Sequence, residues 1–390
     1  MTTIYLIRHA EAEGNLYRRA QGQYDSNITP LGRKQIAALA ERFRAESIDA
    51  LYSSDLTRTQ TTATAITKYH PHLRPVLMPQ LREQAIGLWE DWAWGDLSRE
   101  FNRELATFSS RPDLWFCEGA ESFDAMQARM LAALQKIGAE NDGRTVAVTS
   151  HGMAIRSVLC AALGMPKEQV AAIPHGDNTG VSKLLWDKGV LRVEWYNDNS
   201  HLGADISTFA RQTWWKHPDG SAEDHENASF LPLTFPADEE LYTECYRQTW
   251  LASHGNTADF APGVYLQSAR ARLADGPEFL VKLCYKGQTV GLIELNPHMD
   301  RAFGAGRISL IYMRPEYRGR RLGIQLYGHA VSVFRRYGLN KIRLHVSQTN
   351  EAAIGFYEHN DFRRLEAVKG VGGPLWLMEA DITPRLWVLP

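Results

Sequence analysis

The sequence predicts a mixed α/β protein of two domains, and three observations carry that expectation. Apolar strands alternate with stretches of helical periodicity from residue 4 to about 200, the pattern of a parallel sheet covered by helices. A polar, acidic stretch at 217–227 (HPDGSAEDHEN) then breaks the pattern, with the composition of an exposed connector. Beyond it a fresh series of paired strands and helices begins at Phe230. At 390 residues the chain also exceeds one ordinary core, for which about two or three domains is the prior. The expected limits are 1–215 for the first domain, 216–228 for a linker and 229–390 for the second.

The first strand, from Ile4, ends abruptly in Arg8-His9. Its apolar run puts that pair at the carboxyl end of a buried strand, the edge where open α/β sheets place ligands. After Thr29-Pro30, Ile36, Leu39, Ala40 and Phe43 recur at helical spacing. Residues Ser53–Tyr69 open another helix, which Ser54 or Asp55 is expected to cap and which carries Arg58 in its first turns. Glu83 lies in a loop-like stretch, LREQAIGLWED. The next segment is rich in aromatics: Trp89, Trp92, Trp94, Phe101, Phe108, Trp115 and Phe116. It reads either as helical core or as a lid offering an apolar wall to an organic ligand. The strand Thr145–Thr149 ends, like the first, beside a histidine, in Ser150-His151-Gly152. Val181–Leu185 and Val190–Trp195, separated by Asp187-Lys188-Gly189, look like a closing hairpin.

Past the connector, a helix is expected over Asp238–Ser253, and strands Phe279–Tyr285 and Thr289–Asn296 form a hairpin. A strand, Gly306–Arg314, runs into Pro315-Glu316-Tyr317-Arg318-Gly319-Arg320-Arg321-Leu322-Gly323. A helix follows, with Ile324, Tyr327, Val331 and Phe334 on one face. After the strand Lys341–Val346 come Asn350 and Tyr357.

Composition bounds the function classes. Apolar content of 44% and charged content of 23% are those of a soluble globular protein. A net charge of -2 gives no general attraction to nucleic acid or acidic membranes, so neither is expected as a partner. No apolar run approaches the length of a membrane span, and Met1-Thr2-Thr3 leads straight into a strand. Cys117, Cys160, Cys245 and Cys284 are scattered without any CxxC, which favours reduced thiols over disulfides or a metal site. A cytoplasmic location is the expectation, and the oligomeric state is left open.

Phosphoryl transfer without a metal needs a nucleophile, fixed cations around the equatorial oxygens, and an acid for the leaving oxygen. His9 with Arg8, Arg58 and His151 supplies candidates for the first two, and Glu83 for the third. Arginine suits the cation's part because its planar fork matches two phosphate oxygens at once. The stretches RHAEAEGN, QGQYDSNITPLGRKQ, SSDLTRT, LREQAIGLWED and TSHGMAIRSVL occur in the order found in the histidine phosphatase (phosphoglycerate mutase-like) superfamily. This half of the chain, from about residue 3 to His201-Leu202, resembles that family, which implies a three-layer α/β/α fold. The resemblance implies that His9 becomes phosphohistidine, that Arg8, Arg58 and His151 complete the phosphate pocket, and that Glu83 is the proton donor. It places Asn15 and Gln21-Gly22 at the mouth of the site. The family's mutases usually carry an insertion after the Glu83 region. Only about sixty residues separate Glu83 from the TVAVTSHG strand here, which favours a phosphatase. His9 must be neutral at one nitrogen to attack, whereas His151 works best as a cation, so the pocket is expected to drive their pKa values apart.

In the second half, a strand, a glycine- and arginine-rich turn and a helix N-terminus form an anion-binding device. With Asn350 and Tyr357 this resembles the GNAT superfamily of acyl-CoA-dependent N-acetyltransferases, over about residues 229–382, which implies a mixed α/β fold and acetyl-CoA as cosubstrate. Arg318, Gly319, Arg320, Arg321 and Gly323 match the pyrophosphate signature (Q/R)xxGxG, with Arg321 standing where the first glycine usually is. The resemblance gives Asn350 the pantetheine arm, and Tyr357 the protonation of the departing thiolate. Glu294, on the strand before, is a candidate base for the acceptor amine. The expectation is thus a bifunctional enzyme, needing no metal, that hydrolyses a small phosphomonoester and acetylates a small amine. A phosphomutase, or one domain kept only as a ligand sensor, are the alternatives.

Overall fold

The computed structural model describes residues 1–212, 227–371 and 373–390, so most of the expected linker, 216–228, lies outside the described residues. Two compact units are present. The first comprises Met1–Trp92, Leu97–His225 and Pro384–Pro390, and the second Ala93–Asp96 and Glu226–Thr383.

The chain opens with β1 (Thr2–Arg8), α1 (Glu13–Tyr17), α2 (Pro30–Phe43), β2 (Ala50–Ser53), α3 (Thr57–Tyr69) and β3 (Val76–Leu77). Helices α4 (Trp94–Glu100), α5 (Asn102–Ser110) and α6 (Phe123–Glu140) follow, then β4 (Thr145–Ser150) and α7 (Gly152–Ala162). Strands β5 (Val181–Asp187) and β6 (Val190–Asp198) and the short α8 (Thr208–Arg211) complete this half. The sheet order is β3-β2-β4-β1-β5-β6. The first four strands are parallel, as the alternation predicts, and the β5–β6 hairpin adds an antiparallel edge.

Side-chain alternation on β1 splits the core into two layers. Ile4 and Leu6 face α6 and α7, packing with Met130, Leu134, Val158 and Leu159. Ile7 faces the other way, with Ile36, Leu39 and Phe43 of α2 and Ala63 and Ile66 of α3. Both sheet faces are therefore covered, and the free edge for chemistry is the one at the strand ends. Trp387 and Leu389, near the chain's end, also pack on the α2–α3 layer. The backbone N–H groups of Arg385, Trp387 and Leu389 donate to Asn27 Oδ1, Thr61 Oγ1 and Thr64 Oγ1 at 2.8, 3.4 and 3.3 Å.

The aromatic segment after Glu83 is partly core, with Trp94, Phe101 and Phe108 half-buried. Trp89 and Trp115 are buried, and Trp89 lies 5.0 Å from Trp115 and 5.8 Å from Phe108, ring centre to ring centre. Trp92 and Phe116 are the exceptions, exposed at 37% and 79%.

The second unit contains β7 (Ser229–Pro232), α9 (Glu239–His254), α10 (Pro262–Asp275), β8 (Leu280–Tyr285), β9 (Gln288–Asn296) and β10 (Ala305–Met313). It continues with α11 (Gly323–Arg336), β11 (Lys341–Ser347), α12 (Glu351–His359), β12 (Arg363–Gly370) and β13 (Gly373–Asp381). Its sheet order is β12-β13-β11-β10-β9-β8-β7. Strands β10 and β11 run parallel but pair only from Ala305↔Lys341 to Ile308↔Leu344. Beyond that β10 continues against β9 and β11 against β13, so the two part company toward their carboxyl ends. Among the described residues no helix is long and apolar enough to cross a membrane.

Candidate active sites

Strand register alone brings the two histidines together. Arg8 pairs with Ser150 across β1 and β4, and His9 N–H donates to Ser150 C=O at 2.9 Å. The residues that follow, His9 and His151, lie with ring centres 5.3 Å apart. Strand β2 lies on the other side of β4, which puts Ser54 beside His151, Oγ to Nε2 at 3.0 Å. Next comes α3, whose first turn delivers Arg58, completely buried. The expected cap of α3 by Ser54 or Asp55 does not form. Ser54 is engaged with His151 and Asp55 pairs with Arg82, while Asp25, distant in sequence, accepts from Thr57 N–H at 2.9 Å and Thr57 Oγ1 at 2.6 Å.

His9 Nδ1 lies 2.8 Å from its neighbour's carbonyl, Ala10 O, which can only accept. Nδ1 therefore carries the proton and Nε2 the lone pair, the tautomer a nucleophile needs. Burial, then the Arg58 and Arg8 charges, push the His9 pKa well below its ordinary value. The expectation of opposite shifts is not met: burial and Arg58 drive His151 down as well. Neither ring competes with the arginines, which hold the positive charge. Burial lowers both guanidinium pKa values too, Arg58 to about 10, still charged at neutral pH.

Each guanidinium is fixed from behind by backbone carbonyls. Arg8 donates to Gly176 O, and Arg58 to Tyr24 O at 2.8 Å and Gly22 O at 2.6 Å. What remains is a set of buried nitrogens without a partner among the described residues: Arg8 Nε, Arg58 Nε and His151 Nδ1. Glu83 joins from the loop after β3. Its carboxylate accepts from Met153 and Ala154 N–H at 3.0 and 2.9 Å, at the positive end of α7. Gly152 marks where it meets the cations, since a Cβ there would lie 3.5 Å from Arg8 Nε and 3.8 Å from Glu83 Oε2. Asn15 Oδ1 accepts from Ala12 N–H at 3.1 Å, closing the start of α1.

Sequence reasoning missed the residues that hold this pocket in shape. Asp177, fully buried, accepts from Asn199 Nδ2, Ser207 Oγ and the Asn178 and Phe209 N–H groups. It thereby fixes a turn whose Asn178 Nδ2 donates to His9 O at 2.9 Å and whose Gly176 O receives Arg8. The only sequence signal was position, in the loop entering a strand beside β1. Among the described residues no cluster of three or more His, Cys, Asp or Glu suits a metal ion.

In the second unit, the turn 315–322 and Asn350 follow β10 and β11, so both lie at the edge where these strands diverge. Helix α11 begins at Gly323 with no side-chain cap, and Gly319 and Gly323 border open space. Arg321 has φ +59°, the left-handed region that favours glycine, which accounts physically for the usual residue there. Arg318 Nε donates to Met313 O at 3.0 Å, and the Arg320 guanidinium lies over the Tyr317 ring. The Asn350 oxygen caps α12, accepting from Ala353 N–H at 3.2 Å. Tyr357 is buried between the rings of Phe356 and Phe362, and burial raises its pKa, so the hydroxyl keeps its proton. Glu294 is 1% exposed and accepts from Tyr242 OH at 2.7 Å and Ser268 Oγ at 3.3 Å, with its pKa raised by burial.

Comparison with known proteins finds two families on the chain. Residues 4–199 match the family model of the histidine phosphatase superfamily (branch 1), and 239–362 that of the acetyltransferase (GNAT) family. The metal-independent phosphoserine phosphatase of Arabidopsis thaliana is 36% identical over 160 residues, covering 40% of this chain and 67% of that protein. The probable phosphoglycerate mutase GpmB of Cronobacter sakazakii is 36% identical over 212 residues, covering 52% of this chain and 96% of that protein. Among solved structures, YhfR of Bacillus stearothermophilus superposes on 52% of this chain and 99% of its own, with 30% identity and a TM-score of 0.49. Both matched families are enzymes, and the chain belongs to the histidine phosphatase superfamily, with a GNAT acetyltransferase domain on the same polypeptide.

Proposed function

We propose that the first unit hydrolyses a small phosphomonoester through a phosphohistidine, with His9 as nucleophile. The observation that carries this reading is that Arg8 Nε, Arg58 Nε and His151 Nδ1 are buried without a partner among the described residues, while His9 lies 5.3 Å from the His151 ring, centre to centre, and feels both guanidinium charges. A phosphate's oxygens satisfy such donors, and its negative charge offsets the cations that depress both histidines. His9 Nε2 attacks phosphorus, the P–O bond to the alcohol breaks, and Glu83 delivers a proton to the leaving oxygen. Water then attacks the phosphohistidine, its proton returns to Glu83, and inorganic phosphate departs. Relatives named phosphoserine phosphatases support an ester that carries an amino group.

The second unit is proposed to acetylate a small amine. Acetyl-CoA supplies an activated acetyl thioester when bound. The uncapped N-terminus of α11 and the open backbone at Gly319 and Gly323 suit its pyrophosphate. Glu294 takes a proton from the attacking amine, and Tyr357, held protonated, supplies one to the leaving sulfur. We infer that one amino-bearing phosphate ester, dephosphorylated by one unit and acetylated by the other, links the two. The relatives named as probable phosphoglycerate mutases favour a second reading, transfer of the phosphoryl group to another hydroxyl.

Incubation with O-phosphoserine or p-nitrophenyl phosphate is expected to release inorganic phosphate, with His9→Ala abolishing it. Thiol release from acetyl-CoA in the presence of amines is expected to fall in Tyr357→Phe. Labelled phosphate retained on a second hydroxyl would establish the mutase, and phosphate release surviving His9→Ala would rule out the phosphohistidine.

A further inference from the structure

Glu90 has no part in the chemistry described above, yet one carboxylate there receives four backbone N–H groups from two separate loops. Oε1 accepts from Gln23 at 2.7 Å and Ile86 at 3.2 Å, and Oε2 from Tyr24 at 2.9 Å and Gly22 at 3.2 Å. Gly22, Gln23 and Tyr24 thus form a backbone nest closed around an anion that the protein itself provides. The carbonyls of that same loop, Gly22 O and Tyr24 O, hold both terminal nitrogens of Arg58. The loop's second partner is the stretch carrying Glu83: Gln23 Nε2 donates to Glu83 O at 3.2 Å, and Ile86 lies three residues on. The approach is close enough to require a glycine, since a Cβ at position 22 would fall 2.4 Å from Gln84 O and from Glu90 Oε1.

Building on the phosphatase reading, we propose that Glu90 is a positioning residue that ties the Arg58 loop to the Glu83 loop, fixing cation and proton donor against each other. It acts through the backbone and touches no reacting atom. Two consequences separate this from a plain charge effect. Removing a negative charge near Arg58 would, by Coulomb's law alone, tighten phosphate binding, whereas loosening the loop that holds the guanidinium weakens it. Misplacing Glu83 also penalises an ester with a poor leaving group more than one that departs without protonation.

The test compares wild type with Glu90→Gln, which keeps the shape but presents an amide to donors, and Glu90→Asp, which keeps the charge. Near-UV circular dichroism and the thermal midpoint check folding, and Glu90→Asp carries the test if Glu90→Gln does not fold. Calorimetry with inorganic phosphate is expected to show roughly tenfold weaker binding in Glu90→Gln. For O-phosphoserine kcat/KM is expected to fall about 100-fold or more, and for p-nitrophenyl phosphate about tenfold, with Glu90→Asp falling less on both. Unchanged or tighter phosphate binding, or equal losses on the two esters, would overturn the proposal. A wild type that turns over neither ester would refute the phosphatase reading, while the phosphate calorimetry would still decide whether Glu90 shapes the Arg58 site.

Discussion

His9 shows how a residue's chemistry follows from its surroundings. The carbonyl of Ala10 selects its tautomer, and burial with two neighbouring guanidinium groups suppresses its protonation. Since the shift is downward, the neutral ring persists as pH falls through the range where a free histidine charges. NMR titration of the His9 ring is expected to give a midpoint well below that of a free histidine. In Arg58→Ala the midpoint rises, though it stays below the ordinary value because burial is the larger cause. The identity of these residues was legible in sequence because strands ending in Arg-His and Ser-His advertise themselves. The shared downward shift of both histidines was not, because desolvation depends on how completely other elements close over the rings. Asp25, Glu90 and Asp177 were equally hidden: most of their partners lie far along the chain, and an acidic residue in a loop reads simply as polar.

At the scale of elements, periodicity located the strands and helices that deliver the site, from β1 and β4 to the β5–β6 hairpin. It failed at the start of α3, where a local cap was expected and a distant aspartate does the work. The rule that Ser or Asp just before a helix caps it competes with tertiary demand, and here His151 and Arg82 claim Ser54 and Asp55. The turn before α11 is the reverse case. Arg321 departs from the family's glycine, and its φ of +59° explains the preference it violates, at a cost of about 1–2 kcal/mol for a residue with a Cβ. Because backbone N–H groups carry the binding proposed there, Arg321→Gly is expected to bind CoA at least as tightly as wild type by calorimetry. Tenfold weaker binding would mean that the guanidinium itself grips the ligand.

For the whole molecule, composition and the acidic connector announced two domains, but contiguity was assumed where the fold does not respect it. Residues Ala93–Asp96 belong with the second unit, and Pro384–Pro390 with the first. Nothing in the pattern of PRLWVLP distinguishes a segment that returns to an earlier domain from one that trails into solvent. Half-burial of Trp387 and Leu389 is worth roughly 2–3 kcal/mol together. Deleting 384–390 is therefore expected to lower the melting temperature of the first unit by roughly 5–10 °C in differential scanning calorimetry. The seven residues lie along α3, at Thr61 and Thr64, on the helix that presents Arg58. A fragment cut at the connector would thus be missing a strip of its own wall, and its lowered melting temperature would be misread as dependence on the acetyltransferase. Joining PRLWVLP back to that fragment through a flexible linker should restore its melting temperature without the missing domain.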